Sequence, residues 1–411
     1  MTSNRAITTT VIVASLGYFV DIFDLQLFNI VSRQSLEGVG ITDPAEVARL
    51  DYSLFLWQMS GMLVGGLLWG ILGDHKGRKN ILFGSILMYS LANIANAFVT
   101  DVDQYALVRF VAGLGLAGEL GAAITLVSEV MSKEKRGYGT MVIVTMGALG
   151  AVAAALLSRL QLSMAGLAHW QVMYLVGGGL GLLLLLMRMG TFESSMFDQV
   201  KASAVQKGNF LMLFTDATRF RKYLACILIG LPVWFCIGVL IKFAVQFAAI
   251  TGVQGEVTTG FAIMYAYIGL SVGDLFSGLI SQLLRSRRKV VLAYLAASVG
   301  ISLVFLFVNG MSTAAFYFLC FLIGCGTGYW ALFVTMASES FGTNIRATVT
   351  TTVPNFVRGA LVPIILAFKA AEPAMGAVGA ALAVGGVCMA LAVAGALMLP
   401  ESFGRDLDYV E

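Results

Sequence analysis

Charge is scarce in this chain. Asp, Glu, Lys and Arg make up only 12% of the 411 residues, about half the fraction usual in soluble proteins. Histidine is almost missing: His75 and His169 stand far apart, which leaves no metal-ligand spacing and no nucleophile–base signature. An enzyme reading therefore has no support, and neither catalytic residue, metal nor cofactor is expected. The five cysteines (Cys226, Cys236, Cys320, Cys325 and Cys388) are odd in number and all lie in apolar stretches. That argues against a disulfide framework and for small apolar fillers. Nothing in the charge pattern suggests a nucleic-acid partner.

What the chain has is hydrophobic length. Apolar residues reach 58% and mean hydropathy is +0.87. They gather into runs of the roughly 20 residues that cross a bilayer as a helix. Twelve can be traced, at about 7–31, 52–73, 80–99, 105–130, 138–158, 169–187, 223–250, 257–284, 290–307, 314–338, 347–368 and 375–399. None shows the ten-residue alternation of a membrane β-barrel. The first run is too long and too acidic for a cleaved signal peptide. The expected class is an all-α, multi-pass membrane protein embedded in a lipid bilayer.

An even number of spans puts both termini on one side. The loops on that side hold 19 of the 26 Lys and Arg residues, the opposite loops hold four, and three lie inside spans. The positive-inside rule makes the termini cytoplasmic, in a bacterial inner membrane.

The sequence also repeats. Gly70 and the basic loop after span 2 correspond to Gly278 and Arg285-Ser286-Arg287-Arg288-Lys289 after span 8. Ser128-Glu129 followed by Arg136 corresponds to Ser338-Glu339 followed by Arg346, and Glu193-Ser194 corresponds to Glu401-Ser402. All three landmarks recur about half a chain later. The expected organisation is two pseudo-symmetric six-helix bundles, 1–190 and 223–411, joined by a polar cytoplasmic linker at 191–222. Such repeats rock about a site near the bilayer midplane. Gly61/Gly65 and Gly66/Gly70 in span 2 have the small-xxx-small spacing of close helix contacts.

Ionisable residues at membrane depth are costly and usually line a polar path or pair with each other. Here they are Arg109, Lys242 and Arg358 on one side of the ledger, and Asp21, Asp24, Glu119 and Asp274 on the other. Asp21 and Asp24 are three residues apart and share a helix face. Two carboxylates in one poorly solvated site do not both hold charge easily, which suits a group that loads and unloads a proton. Glu119 lies too far along its helix from Arg109 to share a partner and is a second proton-site candidate.

Span 2 ends Trp69-Gly-Ile-Leu-Gly73-Asp74-His-Lys-Gly77-Arg78-Lys79. This resembles the loop 2–3 signature of the major facilitator superfamily, G-x-x-x-D-R/K-x-G-R-R/K. The sequence departs from it at His75, and from its second copy at Gln282. Gly77 allows a tight turn, and Asp74 can face a helix N-terminus or a cation on the other half. The resemblance implies that Gly70, Asp74, Gly77 and Arg78 latch the outward-open state. The segments Asp21-Ile-Phe-Asp24 and Arg109-x-x-x-Gly113-x-Gly115-x-x-Gly118-Glu119 are similar to the sugar-porter-like and organic acid:proton symporter branches, although Ile22 replaces a glycine. The resemblance further implies that Asp24 and Arg109 form a proton-coupling pair. It also implies that Glu129, Arg136, Glu193, Glu339, Arg346 and Glu401 build a cytoplasmic charge network.

For substrate contacts, the guanidinium of Arg358 favours carboxylate or phosphate. Pro354-Asn355-Phe-Val-Arg358-Gly359 is similar to span 11 of organic-anion carriers. Lys242 is a second anion contact unless Asp274 takes it. Tyr18, Phe23, Trp57, Trp234, Tyr265, Tyr329, Trp330 and Asn355 are expected to wall the cavity. Span 7 lacks the paired glutamines of sugar porters, and span 5 lacks the Gly-Pro of drug antiporters. The expectation is a monomeric, proton-coupled symporter of a small organic anion, working by alternating access. A cation, metal-ion, drug or sugar carrier of the same fold is the alternative.

Overall fold

The computed structural model describes residues 4–132, 135–164, 166–188, 208–407 and 409–411, leaving out the side chains of residues 4–7 and 78. The expected linker at 191–222 falls partly outside the described residues, as do Lys201, Lys207 and the whole of Glu193.

Helices form where the apolar runs lie, because a backbone in hydrocarbon must satisfy its polar groups within its own segment. In the first part of the chain they are α1 (Asn4–Gly38), α2 (Pro44–Lys76), α3 (Arg78–Asn96), α4 (Val102–Val130), α5 (Arg136–Ser158) and α6 (His169–Met187). One turn, α7 (Met212–Thr215), precedes α8 (Ala217–Phe235), a π-helical segment Cys236–Ile241, and α9 (Ala244–Ile250). Then come α10 (Thr259–Leu284), α11 (Arg287–Phe307), α12 (Thr313–Thr327), α13 (Trp330–Glu339), α14 (Arg346–Gly359) and α15 (Leu361–Met398). The described residues contain no β-strand, only two isolated bridges.

Among the described residues, twelve crossings follow once broken helices are counted as chain passes. Segment α8 to α9 is one pass and α12 to α13 another. The stretch Arg346–Met398 turns back at Gly376, whose φ of 71° and ψ of 166° lie outside the helical region. Side-chain caps set several helix starts. Asp43 accepts from Glu46 N at 3.2 Å just before Pro44, and Asp101 accepts from Gln104 N at 2.9 Å. Asp216 does the same for Arg219 N at 2.8 Å.

Glycine decides how closely α2 approaches its neighbours, and its two pairs serve different helices. Gly61 and Gly65 lie against the backbone of α4 at Phe110 and Leu114; Gly66 and Gly70 lie against α14 at Asn355 and Thr348. A β-carbon at Gly61 would meet the Phe110 carbonyl. Gly61→Val is therefore expected to lower the apparent melting temperature in detergent, since overpacking costs about 1–3 kcal/mol. Gly179→Ala is the control, because nothing lies within 4 Å of that position.

Between the early and late helices, α2 runs along α14 and α5 along α10. Thr125 and Thr350 hydroxyls meet at 2.5 Å, Thr140 and Thr335 at 2.7 Å, and the Asn355 amide donates to Ala117 O at 2.7 Å. Two late-chain breaks bring polar backbone to mid-depth. At the first, the π segment ends beside Lys242, and Phe243 leaves helical geometry at φ −98° and ψ 25°. At the second, between α12 and α13, Asp274 of α10 accepts from Ala331 N at 2.9 Å. That carboxylate caps a helix start in the protein interior, where a bare N–H would be costly.

Candidate functional site

The central site forms where α1 meets α8, α13 and α14. Arg358, near the end of α14, has no solvent exposure. Its Nη2 donates to Tyr18 Oη at 3.2 Å and lies 4.0 Å from Asp21 Oδ2; its Nη1 donates to Asn355 Oδ1 at 3.4 Å. Trp330 Nε1 also donates to Tyr18, at 3.2 Å. The guanidinium carbon stands 5.9 Å from the Trp234 ring and 5.8 Å from the Trp330 ring, within cation–π range. The two indoles meet edge to face with centroids 6.3 Å apart. Gln26 closes the group by donating to Tyr267 Oη at 2.7 Å. Neither oxygen of Asp21 has a hydrogen-bond partner, and Arg358 Nε has none either. A buried cation facing a buried, unsatisfied carboxylate across 4.0 Å, between two indoles, is a place where a flat anion can be exchanged for an acidic side chain.

Asp24, one turn further along α1, points elsewhere. Its carboxylate rests against the bare Cα of Gly177 on α6. Asp24 and Arg109 do not form an ion pair. Both Asp24 oxygens lack a hydrogen-bond partner, while Arg109 donates to Gln58 and packs over the Phe28 ring at 4.7 Å. Glu119 pairs instead with Arg188, which is only 1% exposed rather than standing out in a loop. A hydrophobic run gives no sign that the arginine just after it folds back inward.

Lys242 pairs with Asp51 at 2.8 Å and donates to Asn29 at 2.9 Å; Asp274, engaged with Ala331, is not its partner. This pair borders a cavity of about 320 Å³ at the end of the molecule opposite the termini, which Ser32, Arg33 and Glu37 also line. Lys242 is thus not part of the Arg358 cluster. Nor are three of the expected aromatic wall residues. Trp57 is 49% exposed and packs on Phe110, and Tyr265 is 36% exposed and stacks on Tyr317. Tyr329 donates to Ile229 O at 2.9 Å. Phe23 is buried on α1. An aromatic ring facing lipid and one facing a cavity look alike in sequence.

At the termini end, charges interlock across the two parts of the chain. Arg136 Nε donates to Glu339 Oε1 at 2.9 Å, Arg287 reaches the same oxygen at 3.4 Å, and Arg346 lies 3.2 Å from Glu129. Asp74 accepts from Ala347 N at 3.2 Å, Thr348 N at 2.8 Å and Thr348 Oγ1 at 2.7 Å, so α2 caps the start of α14. Gly77 turns at φ 94° to release α2 into α3, and Gly70 brings α2 against Thr348. Glu401 caps α11 through Arg287 N at 2.9 Å and Ser286 Oγ at 2.5 Å. Partial burial pushes Glu401 up, but these bonds and those from Phe403 N and Arg288 N outweigh it and hold the group below the usual glutamate range. The tail joins in: Arg136 donates to Arg405 O at 2.7 Å and Arg346 to Leu407 O at 2.6 Å. The side chain of Arg78 and all of Glu193 lie outside the described residues.

Residues 14–366 match the family model described as Major Facilitator Superfamily. The 3-(3-hydroxy-phenyl)propionate transporter of Escherichia coli (strain K12) is 31% identical over 353 residues, 83% of this chain and 84% of that protein. The niacin transporter NiaP of Acinetobacter baylyi (strain ATCC 33305 / BD413 / ADP1) is 32% identical over 166 residues, 40% of this chain and 36% of its own. The solved structure of the proton:xylose symporter XylE bound to 6-bromo-6-deoxy-D-glucose superposes with a TM-score of 0.75 at 14% identity, covering 98% of both chains. That last likeness shows the fold.

Proposed function

This chain belongs to the Major Facilitator Superfamily, and from that premise we propose that it carries a small aromatic monocarboxylate across a bacterial cell membrane together with a proton, by alternating access. Its bundles are 1–190 and 223–411, joined by 191–222, with both termini in the cytoplasm.

The observation that carries the reading is Arg358 set between Trp234 and Trp330, tied to Tyr18 and facing Asp21. A guanidinium binds a carboxylate with two parallel donors, and indole faces suit a flat ring. The two relatives above are named for 3-(3-hydroxyphenyl)propionate and niacin, both aromatic carboxylic acids. Asp21 supplies the coupling. While it is charged it competes with the substrate for Arg358; once the Asp21/Asp24 pair takes a proton, Arg358 is free to hold the substrate. Arg109 and Glu119 set the field around that pair.

The closed termini end, with Asp74 capping α14 and Glu129, Arg136, Glu339, Arg346 and Glu401 interlocked, is the inner gate in its shut position. The Lys242–Asp51 pair is the outer one. A metal or cation carrier is disfavoured because the acidic groups do not converge: Glu119 is taken by Arg188 and Asp21 faces Arg358.

Proteoliposomes test the reading. Acid outside and neutral buffer inside are expected to drive accumulation of nicotinate or 3-(3-hydroxyphenyl)propionate above equilibrium, and a protonophore to collapse it. Uptake of neither acid, or uptake indifferent to the gradient, would overturn the symport.

A further inference from the structure

Three buried hydroxyls form a chain that the transport cycle above leaves without a role. Ser35 Oγ on α1 lies 2.8 Å from Tyr105 Oη on α4, and Tyr105 Oη lies 2.6 Å from Tyr174 Oη on α6. None of the three residues is solvent-exposed. One end of the chain reaches the outer cavity. Ser35 Oγ donates to Ser32 O at 2.8 Å, and Ser32 lines that cavity. The other end lies on α6 near Asp24, with no hydrogen bond between Tyr174 and that carboxylate. Tyr174 and Gly177 are three residues apart, hence on one face of α6, and the Asp24 carboxylate rests on Gly177. Arg109 borders the same space, its guanidinium carbon 5.9 Å from the Tyr174 ring.

A hydroxyl has one proton to give and can also accept one. In the Ser35–Tyr105 and Tyr105–Tyr174 contacts either oxygen can be the donor, so the chain can pass a proton along its length.

We propose that Ser35, Tyr105 and Tyr174 are a proton relay from the outer cavity to Asp24. The proposal rests on the proton-coupled reading and adds the route. A hydronium ion in the cavity gives up a proton that enters past Ser32 to Ser35 Oγ. Ser35 passes its original proton to Tyr105, Tyr105 passes one to Tyr174, and Tyr174 passes one to the Asp24 carboxylate beside Arg109. A water molecule remains in the cavity, each hydroxyl is again neutral, and Asp24 holds the added proton. Rotation of the hydroxyls resets the chain. The groups whose fields reach Asp24 are Asp21 from its own helix, Arg109 from α4, and Asn93 and Tyr89 from α3. From α6 it meets Gly177, and that helix carries no Asp, Glu, Lys or Arg.

Tyr105→Phe, Tyr174→Phe and the double variant remove only the hydroxyls and keep the rings that pack edge to face at 6.3 Å. In full-length protein in proteoliposomes, with radiolabelled nicotinate and 3-(3-hydroxyphenyl)propionate as probes, gradient-driven uptake is expected to fall about tenfold or more, as loss of a positioned proton-transfer group does. Counterflow of preloaded acid, which needs no net proton movement, is expected to keep its wild-type rate. Wild-type gradient-driven uptake in the double variant overturns the relay and leaves the symport standing. Equal loss in both assays also overturns it, and marks the hydroxyls as structural. A wild-type protein indifferent to the gradient removes the symport and the relay together.

Discussion

Arg358→Ala is expected to remove aromatic-acid binding. A charge-assisted pair of hydrogen bonds contributes about 1.5–3 kcal/mol, so the dissociation constant should rise roughly ten- to more than hundredfold. Arg358→Lys keeps the charge and loses the planar fork, so it should fall between alanine and wild type. Trp234 and Trp330 flank the guanidinium and give the readout, because a ligand seated there changes indole fluorescence. Removing Arg358 alone also leaves Asp21 buried without its counter-ion, which is itself destabilising. The double variant Arg358→Gln/Asp21→Asn separates the two effects. It restores thermal stability without restoring binding if Arg358 is the substrate contact. Restored binding in that variant would place the site elsewhere.

Asp21→Asn is expected to give the second large effect, on coupling. The amide keeps the shape and cannot alternate between charged and neutral, so Arg358 is no longer contested. Exchange of acid between the two sides should continue, while accumulation driven by a proton gradient should vanish. The pH dependence should change with it. In the wild type, binding is expected to strengthen toward acidic pH, where a proton on the α1 carboxylates would release Arg358; in the variant, affinity should be flat across the same range. Equilibrium binding titrations at several pH values read this directly. An Asp21→Asn protein whose affinity still climbs toward acid would move the coupling role from Asp21 to Asp24.

The fold was largely legible because the bilayer imposes one length scale and one backbone solution on every crossing. The traced run at 169–187 coincides with His169–Met187, and 257–284 falls within two residues of Thr259–Leu284. The breaks were not legible. Pro232 sits inside α8 without ending it, whereas the helix changes character at Cys236–Ile241, which carries no proline. Of the site, residue types could be picked out but not their partners. The spacing of Asp21 and Asp24 predicts a shared face, yet the roughly 60° by which three residues fall short of a full turn is enough to send the first toward α14 and the second toward α6. Asp51, the partner of Lys242, stands at the edge of an apolar run and reads there as an ordinary boundary charge. Ser35, Tyr105 and Tyr174 come from three helices, and no pattern within any one of them announces the contact.

The two ends of the molecule are built from unequal materials. At the inner end several ion pairs are dry: Arg346, Glu129 and Glu339 have no exposed side-chain surface. The outer end relies on Lys242 and Asp51, and the Asp51 side chain is 25% exposed beside an open cavity. Mobile ions weaken a hydrated pair and hardly reach a dry one. Added salt is therefore expected to loosen the Lys242–Asp51 end and to leave the Arg346–Glu129 end closed, so on the proposed orientation the ionic strength outside the cell would set how often the carrier opens.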